Sequence, residues 1–135
     1  VWLDGFYHIY HVLYDYRFLM RDFVGIMQHQ SELKLHFRFL QKERKIMFKK
    51  MLKVLQSEGF LRPEPIQGQY ERLLDQLQIL SDFWIASSEL MYEGKVERIC
   101  QHYAQLSLSL FIPYMSVIGL EKWEKAMKPS RPKAV

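Results

Sequence analysis

Residues 31–59, SELKLHFRFLQKERKIMFKKMLKVLQSEG, hold the longest regular pattern in this chain and decide its fold class. Apolar side chains recur there at helical spacing on one face, with Arg44 in the only gap: Leu33, Phe37, Leu40, Met47, Met51 and Leu55. Ser31 suits the N-cap position, because its hydroxyl can accept a hydrogen bond from an amide of the first turn. Gly59 stands where helices commonly end in the left-handed conformation. The pattern therefore predicts one helix over about residues 32–58.

Helical spacing continues on both sides of this segment, and no stretch shows the period-two alternation that indicates a strand. Pro63 and Pro65 indicate a loop at residues 60–68, and Pro113 is expected to end the helix before it. Further helices are predicted over residues 2–14, 18–27, 69–92, 95–111 and 120–127. The chain is therefore predicted to be all-α, a single domain of about five main helices with a frayed tail at residues 129–135.

The composition is that of one folded domain. Of 135 residues, 49% are hydrophobic and 25% are charged, which excludes a disordered chain. No uninterrupted apolar stretch reaches the ~18 residues that a membrane span needs, and no signal peptide is recognisable. Cys100 is the only cysteine, so a disulfide within the chain and a multi-cysteine metal site are both excluded. We expect a cytoplasmic protein that has no contact with a membrane.

No catalytic or cofactor motif stands out. The chain has no Gly-x-Ser-x-Gly turn, no phosphate-binding loop and no dinucleotide fingerprint, so we expect no enzyme, no cofactor and no metal. Two features leave alternatives open. His8 and His11 could share one helix face as ligands in a small helical metalloprotein. A basic stripe on the long helix could bind nucleic acid or an acidic partner, as in a helical adaptor: Lys34, Arg38, Lys42, Lys45, Lys49 and Lys53.

Three short motifs resemble those of a known family. YRFLMRD at residues 16–22 precedes the long basic helix, GFLR at residues 59–62 ends it, and LSDFW at residues 80–84 lies in the next helix. Their order resembles the C-terminal regulatory domain of TetR-type bacterial transcriptional repressors over about residues 3–114. Ser31 stands where relatives often have proline, and serine serves equally well at the start of a helix.

The resemblance implies a helical bundle whose last two long helices pair with those of a second copy, forming a four-helix bundle in a homodimer. The earlier helices would enclose a small-molecule effector, so that about residues 1–66 form the pocket and about residues 67–112 the dimerisation helices. In the family, effector binding moves the helix that leads to an N-terminal helix-turn-helix domain and releases operator DNA. Nothing in this sequence supplies a recognition helix, so we expect that domain to have been cleaved or to lie outside these 135 residues.

The resemblance, applied to the apolar pattern, also implies which residues serve each purpose. Aromatic and thioether side chains would line the pocket and favour an apolar or aromatic effector: Tyr7, Tyr10, His11, Tyr14, Phe18, Phe23, Met27, Met47, Met51 and Phe83. The last two long helices would supply the dimer interface: Leu73, Leu77, Leu80, Trp84, Ser87, Ser88, Met91, Ile99, Tyr103, Leu106 and Leu110.

Overall fold

The computed structural model describes residues 2–127, with the side chains of Trp2 and Leu3 left out. These residues form seven α-helices and contain no β-strand, which confirms the all-α prediction. The helices are α1 (Trp2–Asp15), α2 (Arg17–Arg21), α3 (Phe23–His29), α4 (Ser31–Ser57), α5 (Gln69–Met91), α6 (Val96–Ser109) and α7 (Val117–Met127), with a 3-10 helix at Ile112–Tyr114 between the last two. The tail predicted at residues 129–135 lies outside the described residues.

The segment predicted as one short helix over residues 18–27 is two helices, because the chain leaves the helical conformation at Asp22. Aspartate is a poor residue for a helix interior, and its negative charge is favourable at the start of α3. Its carboxylate lies directly over the backbone of Gly25, where a Cβ atom would collide with it. Gly25 thus lets Asp22 fold onto the first turn of α3.

Of the predictions for the two ends of α4, the one for its start is wrong and the one for its end is confirmed. The cap position at its start is occupied by Gln30 and no side chain bonds to the first turn, so the prediction of Ser31 as N-cap is wrong. The prediction for Gly59 is confirmed, since its φ angle is 78°. There the Phe60 amide donates to the Leu55 carbonyl oxygen at 2.9 Å, which closes the helix end and turns the chain towards α5.

The core consists of two clusters on opposite parts of α5. The first lies where α1 and α6 pack against α5: Tyr10, Trp84, Ile85, Ile99, Cys100, Tyr103 and Ala104. The second lies where α4, the following loop and the end of α6 meet α5: Leu52, Leu61, Tyr70, Leu73, Leu74, Leu77 and Phe111. Phe6 packs against both clusters. Because α5 is covered by α2, α4 and α6, it is apolar on more than one side, as its sequence indicates.

The face of α4 that meets α5 is more polar than the sequence pattern suggests. Leu33, Leu40 and Met47 belong to the predicted apolar face but are exposed in this chain. Besides the apolar contact of Leu52 with the second cluster, charged side chains of α4 contact α5, for example Arg44 Nη2 to Asp82 Oδ1 at 2.7 Å. The ion pairs with the acidic side of α5 help to set the rotation of α4, and they leave Leu33, Leu40 and Met47 exposed in the part of the chain that the structure describes.

Candidate ligand cleft and dimer face

The residues predicted to line an effector pocket are distributed over several parts of the structure. Tyr10 is fully buried in the first core cluster, and Tyr7 and Tyr14 pack against that cluster. The ring centroids of Tyr10 and Trp84 are 5.1 Å apart, and those of Trp84 and Tyr103 are 5.3 Å apart. This part of the chain is an aromatic core whose rings pack directly on one another.

Hydroxyl groups connect this aromatic core across three helices. The Tyr10 hydroxyl on α1 forms a hydrogen bond with Ser107 Oγ on α6 and lies 3.5 Å from Ser81 Oγ on α5. Burial raises the pKa of Tyr10 above its ordinary value, so the group is neutral at physiological pH. The buried Nε1 of Trp84 has no hydrogen-bond partner among the described residues. The two contacts of the Tyr10 hydroxyl thus connect α1 to α5 and α6, the helices predicted to form the dimer.

A second aromatic group lies where α3 approaches α4 and α5. The centroid of the Phe23 ring lies 4.8 Å from the centroid of the Phe37 ring and 6.0 Å from that of the Phe83 ring. The other predicted pocket residues do not enclose a cavity around either aromatic group. His11 and Met27 are half-buried, and Phe18 and Met47 are exposed. Met51 faces α7.

A cleft of about 660 Å³ lies between the C-terminal half of α4 and α7. Its lining is almost wholly apolar: Met51, Val54, Leu55, Phe60, Leu61, Phe111, Met115, Gly119, Trp123 and Ala126, with Glu58 and Lys122 as the two charged members. Met51 is the one predicted pocket residue in this lining. The others were missed, although spacings of three, four and seven residues among positions 119, 122, 123 and 126 mark one face of α7.

The beginning of α7 is held closely against the chain that follows α4. The Ser116 amide donates to the Phe60 carbonyl oxygen at 2.9 Å, and the Arg62 amide donates to the Tyr114 carbonyl oxygen at 2.8 Å. Gly119 packs so tightly on Phe60 that a Cβ atom there would collide with its carbonyl group. These contacts fix one end of the cleft and set the separation of α7 from α4.

The residues predicted for the dimer interface divide into buried and exposed sets. Six are buried in the chain's own core, where they leave no surface for a partner: Leu73, Leu77, Trp84, Ser88, Ile99 and Tyr103. Leu80 and Leu110 are half-buried, whereas Ser87, Met91 and Leu106 are exposed. Ile79, Phe83 and Leu90 are also exposed on α5, and none of them belongs to the predicted interface.

Part of the basic stripe is engaged within the chain. Lys45 Nζ lies 3.0 Å from Glu71 Oε1 and 2.8 Å from Asp75 Oδ1, and Lys49 Nζ lies 3.2 Å from Glu71 Oε2. These ion pairs raise the pKa of Lys45 and lower that of Glu71, each chiefly through the hydrogen bonds between the partners. Two of the six basic side chains thus serve the packing of α4 on α5.

Residues 2–127 contain neither a metal-binding cluster nor a membrane-spanning helix. No group of three or more histidine, cysteine, aspartate or glutamate side chains there is arranged to hold a metal ion. None of the helices in this range is both long and apolar enough to cross a membrane.

Comparison with known proteins identifies the family. A family model described as TetR, bacterial transcriptional repressor, matches residues 3–122, which cover the described helices except the first residue of α1 and the end of α7. No curated protein and no solved structure matches the chain significantly. The match confirms the predicted resemblance to this family and supports a role in transcription regulation. The chain therefore belongs to the TetR family of bacterial transcriptional repressors.

Proposed function

We propose that this chain is the regulatory part of a TetR-type repressor. It forms a homodimer through α5 and α6, binds a small effector, and controls operator binding by a helix-turn-helix domain on the N-terminal side of α1. It acts in the cytoplasm and has no catalytic role. The observation that carries this proposal is a row of exposed apolar side chains on α5.

This outer face of α5 is built at helical spacing. Ile79, Phe83 and Leu90 are separated by four and seven residues, and their exposed fractions are 63%, 43% and 84%. Ala86 and Ser87, which are also exposed, lie between Phe83 and Leu90. Monomeric proteins seldom leave a continuous apolar row open to water, and small side chains let a second helix approach closely. The outer face of α5 is therefore suited to a helix from another chain.

A second copy of the same face is the partner that fits best. Around a twofold axis each copy offers the other an identical surface, so an apolar row meets an apolar row. The family pairs its last two long helices in this way. Met91 on α5 and Leu106 on α6 are further exposed apolar members of the predicted interface.

The contacts of α1 suggest how an effector could act on DNA binding. The Tyr10 hydroxyl on α1 bonds to Ser107 Oγ, and the Tyr10 backbone carbonyl oxygen accepts a weak hydrogen bond from the Cys100 thiol at 3.9 Å. Both partners lie on α6. A ligand changes this arrangement only if its affinity for the chain is higher when α1 is in one position than when it is in another. Because α6 belongs to the proposed interface, a shift of α1 against α6 changes the separation of the two α1 helices in the dimer.

Native mass spectrometry of the purified chain at micromolar concentration tests the proposed dimer. We expect a dimer for the wild-type chain and a monomer for Leu106→Glu, since the new carboxylate would be buried without a partner. Val117→Glu is the matched control, because Val117 is exposed on α7, away from the proposed interface. A monomeric wild-type chain, or a Leu106→Glu variant with the wild-type mass, would contradict the proposal.

A further inference from the structure

We infer that the cleft between α4 and α7 binds an amphiphilic small molecule that has an apolar body and one anionic head group, such as a medium-chain carboxylate. The inference deepens the proposed function, on which it rests, because it gives the effector a site and a chemical class. That site differs from the one predicted from the sequence, where α1 to α4 and part of α5 would enclose the ligand, because α7 forms one of its walls.

The size and lining of the cleft favour a ligand of this kind. A volume of about 660 Å³ lies within the range of roughly 300 to 1,000 Å³ that is typical of small-molecule sites. Two methionines and three aromatic rings form much of the lining: Met51, Met115, Phe60, Phe111 and Trp123. Flexible thioethers adapt to an apolar chain without demanding one shape, and buried aromatic rings add contact area.

The cleft is polar at one end only. Lys122 lies over the Phe60 ring, with Nζ 4.5 Å from the ring centroid, and Glu58 precedes Phe60 by two residues. Further along α7, Trp123 and Ala126 contribute apolar lining. A ligand that fits this gradient has its polar group beside Phe60 and its apolar body along α7.

The charge of the head group follows from how the two ionic side chains are placed. Lys122 is held over Phe60 by a cation–π contact, and no carboxylate of the described residues lies within ion-pair distance of it. It can therefore pair with an anion from outside. A cationic ligand would find the Phe60 face already occupied by the Lys122 ammonium group. Glu58 is exposed and can turn its carboxylate towards water.

The far end of α7 links the cleft to α1. The Tyr7 hydroxyl donates a weak hydrogen bond to Met127 Sδ, at 3.9 Å. A ligand that changes the spacing of α7 and α4 displaces this end of α7 more than the beginning, which is fixed on Phe60 and Arg62. The cleft is therefore placed to affect the position of α1.

Isothermal titration calorimetry of the purified chain tests the inference, with dodecanoate as the probe and uncharged dodecanol as its counterpart, both below their aggregation limits. Ala126→Phe fills the apolar end of the cleft and should weaken dodecanoate binding about tenfold or more, because at least two methylene groups lose their burial. Val117→Phe adds the same ring on an exposed position outside the lining and should bind as the wild type does.

Two charge variants test the class of the head group. Lys122→Gln should weaken dodecanoate binding about threefold and leave dodecanol binding unchanged, as expected for one partly exposed ion pair. Glu58→Gln should act in the opposite direction, because it removes a like charge near the head group. Terminally brominated dodecanoate should also quench Trp123 fluorescence, and this quenching should be absent in Trp123→Phe.

Each contrary result overturns a defined part of the inference. Unchanged binding to Ala126→Phe would remove the ligand from the cleft, and equal responses of dodecanoate and dodecanol to Lys122→Gln would refute the anionic head group. Failure of the wild-type chain to bind dodecanoate would refute the ligand class. None of these results alters the dimer mass, so the proposed dimer stands or fails separately.

Discussion

Replacing Tyr10 with phenylalanine removes one buried hydroxyl group and keeps the aromatic ring. Tyr10 is 1% exposed, and Ser107, whose hydroxyl bonds to it, is 0% exposed. Ser107 Oγ has no other hydrogen-bond partner among the described residues. The substitution Tyr10→Phe therefore leaves a buried hydroxyl unsatisfied, which costs about 1 to 3 kcal/mol of unfolding free energy. Ring packing on Trp84 is retained, so no cavity term is added.

The complementary substitution Ser107→Ala should cost less, about 1 kcal/mol, because the Tyr10 hydroxyl keeps Ser81 Oγ as a partner at 3.5 Å. When both hydroxyl groups are removed, neither is left buried without a hydrogen-bond partner. The double variant should therefore lose less unfolding free energy than the two single variants lose in total. We expect a coupling energy of about 1 kcal/mol, in the range that contacting residues show.

Urea unfolding followed by circular dichroism measures all four proteins of this cycle. Protein concentration must be held constant, because the stability of a dimer depends on it. Additive losses would refute the reasoning, since they would mean that the Ser107 hydroxyl turns to a backbone carbonyl of its own helix when Tyr10 is replaced. A Tyr10→Phe variant with wild-type stability would refute it as well.

Two further predictions concern ionisable groups. The pKa of Glu71 is lowered by its hydrogen bonds to Lys45 and Lys49, so these contacts stabilise the fold above the ordinary pKa of glutamate, about 4.3, and the contribution is lost as the pH falls through the lowered value. Between pH 5 and pH 3 the wild-type urea midpoint should therefore fall further than that of Glu71→Gln, and equal slopes would contradict this ion pair. Burial raises the pKa of the Cys100 thiol to about 11, so iodoacetamide at pH 8 should modify the chain only after unfolding in urea, as detected by mass spectrometry. Rapid modification of the native chain would show that Cys100 is accessible.

Much of the helical structure could be predicted because its causes are local. Gly59 has no Cβ atom and so takes the positive φ angle that ends α4, whatever packs around it. The apolar spacing of residues 2–14 needs only neighbouring turns of one helix to be recognised, and α1 covers Trp2–Asp15. The split at Asp22 and the cap at Gln30 were missed because both depend on small differences between neighbouring positions.

Which face of each helix is buried could not be predicted to the same extent. Leu77 and Ile79 are two residues apart on α5, yet the first is 1% exposed and the second is 63% exposed. A helix that is apolar on several sides does not reveal which side meets its own chain, so the sequence could not show that Leu77 is buried in the core and Ile79 is exposed. Which face of α4 meets α5 depends in part on Lys45, which pairs with acidic residues of α5 about 30 positions later in the chain.

The sequence by itself determined the all-α fold class, the approximate helices and, through three motifs, the family. Those properties depend on the periodicity and order of residues along the chain. The tertiary structure alone decided that the predicted pocket residues are distributed over several sites and that a cleft lies between α4 and α7. That cleft exists because Gly119 lets α7 pack against the carbonyl group of Phe60, a contact between residues far apart in the chain that no local pattern contains.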